Sequence, residues 1–402
     1  MQLVAMGAQD VYLTGNPQIT FFKVVYRRHT NFSKECIAQQ FNGNAAFGSS
    51  LTCTLARNGD LVQEIYLKAV LTCTVAATGE VFRLDDVTSL IKTVEVEIGG
   101  QKIDKHYSQW LDIYNELFET SHDYRYVMNS VAKNSPCATT AGNAAGTKTF
   151  YLPLRFWFNR NPGLALPLIA LQYHEVKINL KISNGNGLVG VAKATADIDE
   201  STALASNILI HTSGTQANTT SGKLSVKLSS ADLLVNYLYL DTDERRRFAQ
   251  VSHEYLIEQV QHTGVESEAT IDMNFNHPVK ALFWTGALWT NVKLQLNGHD
   301  RAAEQPHDYY HLVQPYESGL GHSGKSLTAT SRDWATVAAG GAVGMYSFCL
   351  KPAEHQPSGT CNFSRIDNAR LNVGKDGALH LFAMNYNVLR IMSGMGGLAY
   401  SN

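Results

Sequence analysis

The order of strand-like segments repeats along this chain, on either side of a short charged stretch at 241–250. In the first half, the alternating segment 94–98 (VEVEI) ends at a Gly-Gly pair, and in the second half 292–296 (VKLQL) ends at Asn-Gly. Strict alternation predicts a strand with one buried face, and these dipeptides predict tight turns. The two segments start 198 residues apart (292 against 94).

Other features recur in the same order in both halves. The matching pairs are the aromatic segments 107–118 and 309–310, the aromatic and apolar segments 150–158 and 345–350, the proline turns at Pro162 and Pro357, and the alternating strands 176–182 and 369–373. The proline turns lie 195 residues apart (357 against 162), close to the offset of the alternating strands. A shared order at a nearly constant offset indicates a duplicated fold.

The strand patterns predict an all-β chain of two β-sandwiches of the jelly-roll type, because such sandwiches bury alternating faces between two sheets. Immunoglobulin-like domains fit less well, since they have about 100 residues and more regular strand spacing. Strands are expected at 61–75, 224–228 and 233–240. One helix is expected over 107–118, and 183–223 is expected to form long loops with a short strand at 207–211.

Composition excludes several classes of protein. The 402 residues include 33 Lys+Arg and 35 Asp+Glu, so the basic excess typical of a dedicated nucleic-acid binder is missing. No stretch approaches the roughly 20 apolar residues of a membrane span, and the first residues do not resemble a secretory signal. The cysteines lack the CxxC spacing of zinc sites, which favours free thiols in a reducing compartment; they are Cys36, Cys53, Cys73, Cys137, Cys349 and Cys361.

The glycines and the proline among isolated apolar residues at 1–24 predict an irregular N-terminal arm. It leads into a basic cluster of Lys23, Arg27, Arg28 and Lys34, which fits either a solvated edge or a surface for anions. The charged stretch 241–250 (DTDERRRFAQ) is expected to join the two halves.

The three arginines of that connector are Arg245, Arg246 and Arg247, and they are expected to pair with acidic groups. Exposed pairs contribute only about 0–1 kcal/mol each, so the angle between the halves should depend mainly on apolar contacts such as those of Phe248.

One segment formally matches the phosphate-binding P-loop, at 319–326 (GLGHSGKS). That loop needs a buried parallel strand before it and a helix after it, and neither pattern is present. A flexible loop is the better interpretation, and replacing Lys325 with alanine should leave the behaviour of the protein unchanged.

His307 and His311 have a metal-capable spacing but lack a third ligand in the sequence. The segment 393–397 (SGMGG) predicts a turn or close backbone packing. Three N-x-[ST] sequons start at Asn31, Asn218 and Asn362, and only Asn218 lies in a stretch that reads as an exposed loop, so it is the candidate glycosylation site. The sequence thus offers no coherent catalytic, metal or cofactor site.

Long segments from end to end resemble the double jelly-roll major capsid proteins of large nucleocytoplasmic DNA viruses of algae and amoebae. These segments are 7–33, 58–61, 97–107, 162–177, 240–250, 253–259, 356–369 and 385–402. The loops around 183–223 and 318–344 do not carry the pattern.

The resemblance implies two consecutive eight-stranded jelly rolls with short helices in the connections. The expected division is an arm at 1–24, a first roll at 25–240, a connector at 241–250 and a second roll at 251–402. It further implies a non-enzymatic homotrimer that forms a pseudo-hexagonal capsomer of an icosahedral virion assembled in the host cytoplasm. Expected partners are neighbouring capsomers, minor capsid proteins and an inner membrane, without a specific nucleic acid or a cofactor.

Two other classes of function remain open from the residues alone. One is a β-sandwich that binds carbohydrate at a cell surface, which would need exposed aromatic platforms. The other is an enzyme that uses the P-loop-like segment. The mass of the protein in solution, together with its affinity for oligosaccharide and nucleotide, distinguishes these classes.

Overall fold

A computed structural model of the chain describes residues 7–75, 80–84, 88–119, 145–184, 189–193, 224–321 and 343–400. The strands of its first half alternate between buried and exposed residues, as in Ile91–Ile98 and Val176–Ile182. They are β1 (Phe32–Gln40), β2 (Ser50–Thr54), β3 (Leu61–Val75), β4 (Glu80–Leu84), β5 (Ile91–Ile98), β6 (Gln101–Tyr107), β7 (Ala145–Pro153), β8 (Leu166–Pro167), β9 (Val176–Ile182), β10 (Val189–Lys193) and β11 (Leu224–Leu240).

Eight of these strands form two antiparallel layers around one core, while β8 pairs with β3 and β4 pairs with β10 in a separate two-stranded sheet. One layer has the order β1-β11-β3-β7 and the other β2-β9-β5-β6, with every pair antiparallel. Strands that are distant in sequence lie side by side, so the chain returns across the sandwich as in a Greek key. The buried residues that face each other include Leu67 and Leu71 from one layer and Val96 and Ile178 from the other. This is the first jelly roll.

The second half contains fewer but longer strands. They are β12 (His253–Glu266), β13 (Thr270–Asp272), β14 (Pro278–Leu296), β15 (His299–Pro306), β16 (Gly344–Ser347), β17 (Cys361–Asn362), β18 (Ala369–Met392) and β19 (Met395–Leu398). Because β14 and β18 each run through both layers, hydrogen bonding joins all eight into one sheet.

A break at Gly286 divides that sheet into two layers. Before the break, β14 pairs with β16 and with the C-terminal part of β18, which in turn pairs with β12. After it, β14 pairs with β15 and with the N-terminal part of β18, which pairs with β13. Gly286 has φ +135°, and a Cβ there would lie 2.6 Å from the Ala378 carbonyl oxygen, so only glycine fits this close approach. The layers enclose their own core, and they form the second jelly roll.

The two rolls are equivalent strand for strand. In the order β12, β18, β14, β16 the second roll repeats β1, β11, β3, β7, and in the order β13, β18, β14, β15 it repeats β2, β9, β5, β6. The alternating segments 94–98 and 292–296 occupy the same position in the two rolls, as do 176–182 and 369–373. The all-β fold of two eight-stranded jelly rolls is therefore confirmed.

Short helices fill the connections. They are α1 (Asp10–Thr14), α2 (Ser108–Leu117), α3 (Trp157–Arg160), α4 (Thr242–Gln250) and α5 (Gln314–Glu317), with a π-helical turn at Tyr309–Val313 and 3₁₀ turns at Thr88–Leu90, Pro162–Leu164 and Phe363–Arg365. The expected helix at 107–118 is confirmed as α2. The charged stretch 241–250 forms α4 between β11 and β12.

The aromatic segment 150–158 leaves its strand at Pro153 and turns into α3, because Phe156, Trp157 and Phe158 are all buried in the core. Two local expectations were wrong. The segments 224–228 and 233–240 form a single strand, β11, with a bulge after Leu228. The expected loop 183–223 contains β10, which pairs with β4, while the predicted strand at 207–211 lies outside the described residues.

Two further observations concern the described residues. Among them, no helix has both the length and the apolar character needed to cross a lipid bilayer. Cys36, Cys53, Cys349 and Cys361 are free thiols, and burial raises the pKa of the Cys53 thiol to about 11.

Candidate functional site: the contact between the two rolls

Helix α2 of the first roll covers the outer face of a layer of the second roll. Its residues Trp110, Ile113, Tyr114 and Leu117 are spaced i, i+3, i+4 and i+7, so they lie on one face of the helix. All four are buried, and they pack on apolar residues of β12, β14, β16 and β18: Val260, Ala281, Phe283, Met345, Phe382 and Met384. The indole of Trp110 lies edge-on to Phe283, with ring centroids 5.5 Å apart. Contact between aromatic rings and burial on both sides bind the rolls firmly together.

A buried cluster of charges lies beside this helix. Glu258 of β12 accepts a hydrogen bond from Lys280 of β14 (Nζ to Oε1, 2.6 Å) and another from Arg160 of α3 (Nη1 to Oε2, 2.5 Å). Lys280 is fully buried, and it also donates to the Glu354 carbonyl oxygen at 3.1 Å. Since Arg160 belongs to the first roll, one carboxylate neutralises cations from both halves.

The C-terminal hairpin forms a third contact. Ser393 and Gly394, both with positive φ, turn the chain from β18 into β19, and Gly394 accepts a hydrogen bond from the Tyr173 amide at 3.0 Å. A Cβ on Gly396 would lie 2.6 Å from Leu171 Cδ2 of the first roll. The glycine-rich segment 393–397 thus forms a turn and packs closely, as its sequence indicates.

The connector α4 is tied to the first roll through Arg245. This guanidinium donates from Nε to Asp60 Oδ1 (2.9 Å) and from Nη2 to Asp60 Oδ2 (3.1 Å). Asp60 is buried and also accepts from the Leu240 amide, so the pair is better held than an ordinary surface pair. Arg246 and Arg247 are exposed, and neither forms an ion pair with a described residue.

Phe248 of the connector contacts both halves. Its ring packs against the small apolar cluster of Leu61, Ala165 and Leu238, all from the first roll. It also stacks on His253 at the start of β12, with centroids 5.2 Å apart, and the Phe248 carbonyl oxygen lies 2.8 Å from His253 Nε2. Among the described contacts, His253 is the only residue of the second roll that Phe248 touches. The contact of α2 with the second roll buries many more side chains.

Two histidines flank the α2 contact. His262 Nε2 of β12 lies 3.2 Å from His380 Nδ1 of β18, and Tyr107 from the first roll lies against the His262 ring at 4.6 Å. Burial, with a smaller effect from His380, lowers the pKa of His262 to about 4, and burial also lowers the pKa of His380. At neutral pH both imidazoles are therefore uncharged.

This pair predicts a loss of stability in mild acid. The folded state holds His262 at a pKa of about 4, below the 6.5 of a solvent-exposed histidine, so the unfolded state binds protons more readily. Stabilisation is complete above pH 6.5 and is lost as the pH falls toward 4. Between pH 7.5 and 5 the free energy of unfolding should fall by about 1 kcal/mol because of His262, allowing for solvent screening of a half-buried ring. Urea unfolding at both pH values measures it.

The matched control for the histidine pair is His299→Asn at an exposed position. The double variant His262→Asn and His380→Asn should lose less stability on acidification than the wild type or the control. Equal losses in all three proteins would contradict the assignment.

The N-terminal segment 7–31 exposes an unusual amount of apolar surface. Phe21 and Phe22 are 91% and 98% exposed, and Phe22 is followed by a chain without strand or helix up to β1. The other exposed apolar residues here are Val11, Tyr12, Leu13, Ile19, Val24, Val25 and Tyr26. The segment enters β1 beside the end of β11, at the same end as α4. Exposed apolar residues in such number indicate a surface that another molecule covers.

The other candidate residues do not form a site. The rings of His307 and His311 lie 5.1 Å apart and are tilted, but no group of three or more metal-binding side chains occurs in the described part of the chain. Only Gly319–Gly321 of the P-loop-like segment are described, and Asn218 lies outside the described residues. Asn362 uses its side-chain oxygen to accept from the Ser364 amide.

The residues that join the two rolls had weak sequence signals. Glu258 and Lys280 are lone charges inside otherwise apolar strands, and this pattern could have marked them. Arg160 and Tyr107 themselves carry no local signal of a partner, since their partners Glu258 and His262 lie in the other roll.

Comparison with known proteins identifies relatives along the entire chain. The family model described as "Major capsid protein N-terminus" matches residues 20–241, and the model "Large eukaryotic DNA virus major capsid protein" matches 244–288 and 285–397. The major capsid protein of Pyramimonas orientalis virus is 50% identical over 431 residues, covering 100% of this chain and 99% of that protein.

Solved structures agree with this relationship. A chain of the PBCV-1 virus capsid is 36% identical, with a TM-score of 0.72, and the match covers 95% of this chain and 100% of that one. The Faustovirus major capsid protein is 12% identical and covers 96% of this chain and 94% of that one, with a TM-score of 0.69, so that likeness concerns the fold alone.

Proposed function

Because the chain belongs to the family of large eukaryotic DNA virus major capsid proteins, we propose that three copies of it form a pseudo-hexagonal capsomer of an icosahedral shell. Its role is structural, as a component of the viral capsid. The observation that carries the trimer is the presence of two equivalent jelly rolls in one chain. Three chains then present six similar units around a threefold axis, which gives the assembly a nearly sixfold outline.

The wider assembly follows from the same proposal. A capsomer of this shape tiles a shell by lateral contact with other capsomers, and minor capsid proteins and a membrane lie beneath it. The related PBCV-1 chain comes from a structure of that virus's capsid, which supports a place in the shell for this chain as well. Assembly takes place in the host cytoplasm.

The proposed division of the chain is an arm at 1–24, a first roll at 25–240, a connector at 241–250 and a second roll at 251–402. Its support is the position of the elements: β11 ends at Leu240, α4 spans Thr242–Gln250 and β12 begins at His253. Arg245 and Phe248 hold the connector in place, whereas Arg246 and Arg247 are available at the surface.

The mass of the purified protein tests the trimer. A stable species of three times 44.2 kDa, without measurable affinity for oligosaccharide or nucleotide, is the expected result. A monomer that binds oligosaccharide would instead favour the carbohydrate-binding class. Multi-angle light scattering and binding calorimetry on the same sample provide both measurements.

Deletion of residues 1–24 tests the arm. We expect the arm to lie on the inner side of the shell, facing minor capsid proteins or the membrane, because the apolar side chains of its described residues are exposed. The deletion should leave trimers intact and reduce assembly into shells. Light scattering and electron microscopy of assembly reactions measure the two effects, and loss of the trimer itself would assign the arm to contacts between protomers.

A further inference from the structure

Each roll carries a helical segment at the same place, directly after the strand that ends its second layer. In the first roll α2 follows β6, and in the second roll the segment 307–317 follows β15. The two segments correspond residue for residue at an offset of 199 (309 against 110, 316 against 117). Leu111 and its counterpart Tyr310 both point into their own roll's core, which supports this alignment.

The outward faces of the two segments differ in their cover. Trp110, Ile113, Tyr114 and Leu117 of α2 are buried on the second roll. Their counterparts are Tyr309, Leu312, Val313 and Tyr316. Of these, Tyr309 is half-buried, while Leu312 is 44% exposed, Val313 40% and Tyr316 84%. The same apolar face is thus present in both rolls, but in the second roll it is mostly open.

The surface that would receive this face is also duplicated. Helix α2 packs on the second roll at Phe283 of β14, which is flanked in the sheet by Phe382 and Met345. The equivalent residue of β3 is Tyr66, since it follows the inward-facing Ile65 as Phe283 follows the inward-facing Leu282.

Tyr66 is flanked in its sheet by Leu234 and Pro153. All three are only half-buried, and nearby Tyr151 is 46% exposed. In the described part of the chain, the outer face of this layer of the first roll is therefore less covered than its counterpart beneath α2.

We propose that Tyr309, Leu312, Val313 and Tyr316 of one chain pack on the face formed by Tyr66, Tyr151, Pro153 and Leu234 of a second copy of this chain. This contact repeats between chains the contact that α2 makes within the chain. It rests on the proposed trimer, for which it names the interface.

The reason for a second copy as the partner is the internal repeat. The described part of one chain has a helical face that is mostly open and a sheet face that is only half-buried, each equivalent to one member of a contact that the same chain already makes. A head-to-tail contact of this kind closes into a ring when its rotation matches the symmetry. With three chains, three contacts within chains alternate with three between chains around the ring.

Two arginine substitutions test the helical face. The variant Leu312→Arg and Tyr316→Arg should raise the concentration at which trimers form by at least about 100-fold, because charge would be buried at every contact between chains. Tyr316→Ser is a milder second variant at a nearly fully exposed side chain, so a fold defect is not expected. The matched control is Leu350→Arg and Tyr400→Arg, at positions that are 76% and 64% exposed. Sedimentation measures mass, and far-UV circular dichroism checks the fold.

A mixing experiment tests the direction of the contact. Leu234→Arg on the sheet face should also give monomers. Mixed with the helical-face variant, it should form heterodimers and no trimers. The intact helical face of the Leu234→Arg chain binds the intact sheet face of the other variant, and the two faces left over are both disrupted.

The outcomes separate the two proposals. A monomeric wild type would overturn the trimer. A trimeric wild type with trimeric helical-face and sheet-face variants would overturn this interface and leave the trimer standing. Monomeric variants beside a trimeric control, with heterodimers on mixing, would support both.

Discussion

Replacing Trp110 with alanine is expected to lower the free energy of unfolding by about 3–5 kcal/mol. Trp110 is fully buried between the two rolls, and its ring lies 5.5 Å from that of Phe283 and 5.9 Å from that of Phe382. Truncation removes these contacts and leaves a cavity, because the surrounding side chains relax only partially to fill it. Urea unfolding followed by circular dichroism measures the loss.

Two controls accompany the tryptophan variant. Trp110→Phe keeps a ring against Phe283 and should lose clearly less stability. Tyr12→Ala removes an aromatic ring that is 92% exposed and should change stability by less than about 0.5 kcal/mol. A loss below about 1 kcal/mol for Trp110→Ala would mean that α2 contributes little to holding the rolls together.

Replacing Glu258 with glutamine should be similarly damaging, at about 3–5 kcal/mol. The substitution removes the negative charge that compensates fully buried Lys280 and largely buried Arg160. Desolvation of these cations is affordable only with a charged partner in hydrogen-bonding contact. The measurement is again the free energy of unfolding, at constant salt and pH 7.

The control for this variant lies on the same strand. Glu254 of β12 pairs with Arg390 at 2.8 Å, but both side chains are more than half exposed, so Glu254→Gln should cost about 0–1 kcal/mol. A double-mutant cycle with Lys280→Met should show coupling of about 1–3 kcal/mol. Without the Lys280 amine, the charge of Glu258 has one buried cation fewer to compensate, so Glu258→Gln should cost less. Additive effects would contradict direct coupling between Glu258 and Lys280.

Local sequence patterns predicted the elements best where one face of a strand is buried. Segments 94–98 and 292–296 alternate because one side faces the core of its own roll, and both were recognised as equivalent strands. The α2 pattern was equally clear, since Trp110 and Leu117 lie on one helical face. Sequence failed at β10, and it divided β11 into two strands because the bulge after Leu228 interrupts the alternation.

The charge cluster and the histidine pair were not predicted. Arg160 and Glu258 are 98 residues apart, and neither has a neighbour in sequence that signals a buried partner. The charged stretch 241–250 has a clear sequence signal, and α4 lies between β11 and β12. The ion pair of Arg245 with Asp60 depends on a turn of the first roll that sequence alone could not position.

Alternation, turns and repeat spacing are enough to predict an all-β duplication, because they depend on contacts within each roll and therefore leave a periodic pattern in the sequence. How the rolls meet is visible only in the folded chain. The face of α2 carries the same periodicity whether it covers its own core, the other roll or another chain, because burial of an apolar side chain does not specify its partner. Only the folded chain shows that one such face is covered by the second roll and that its counterpart at Leu312 and Tyr316 is open.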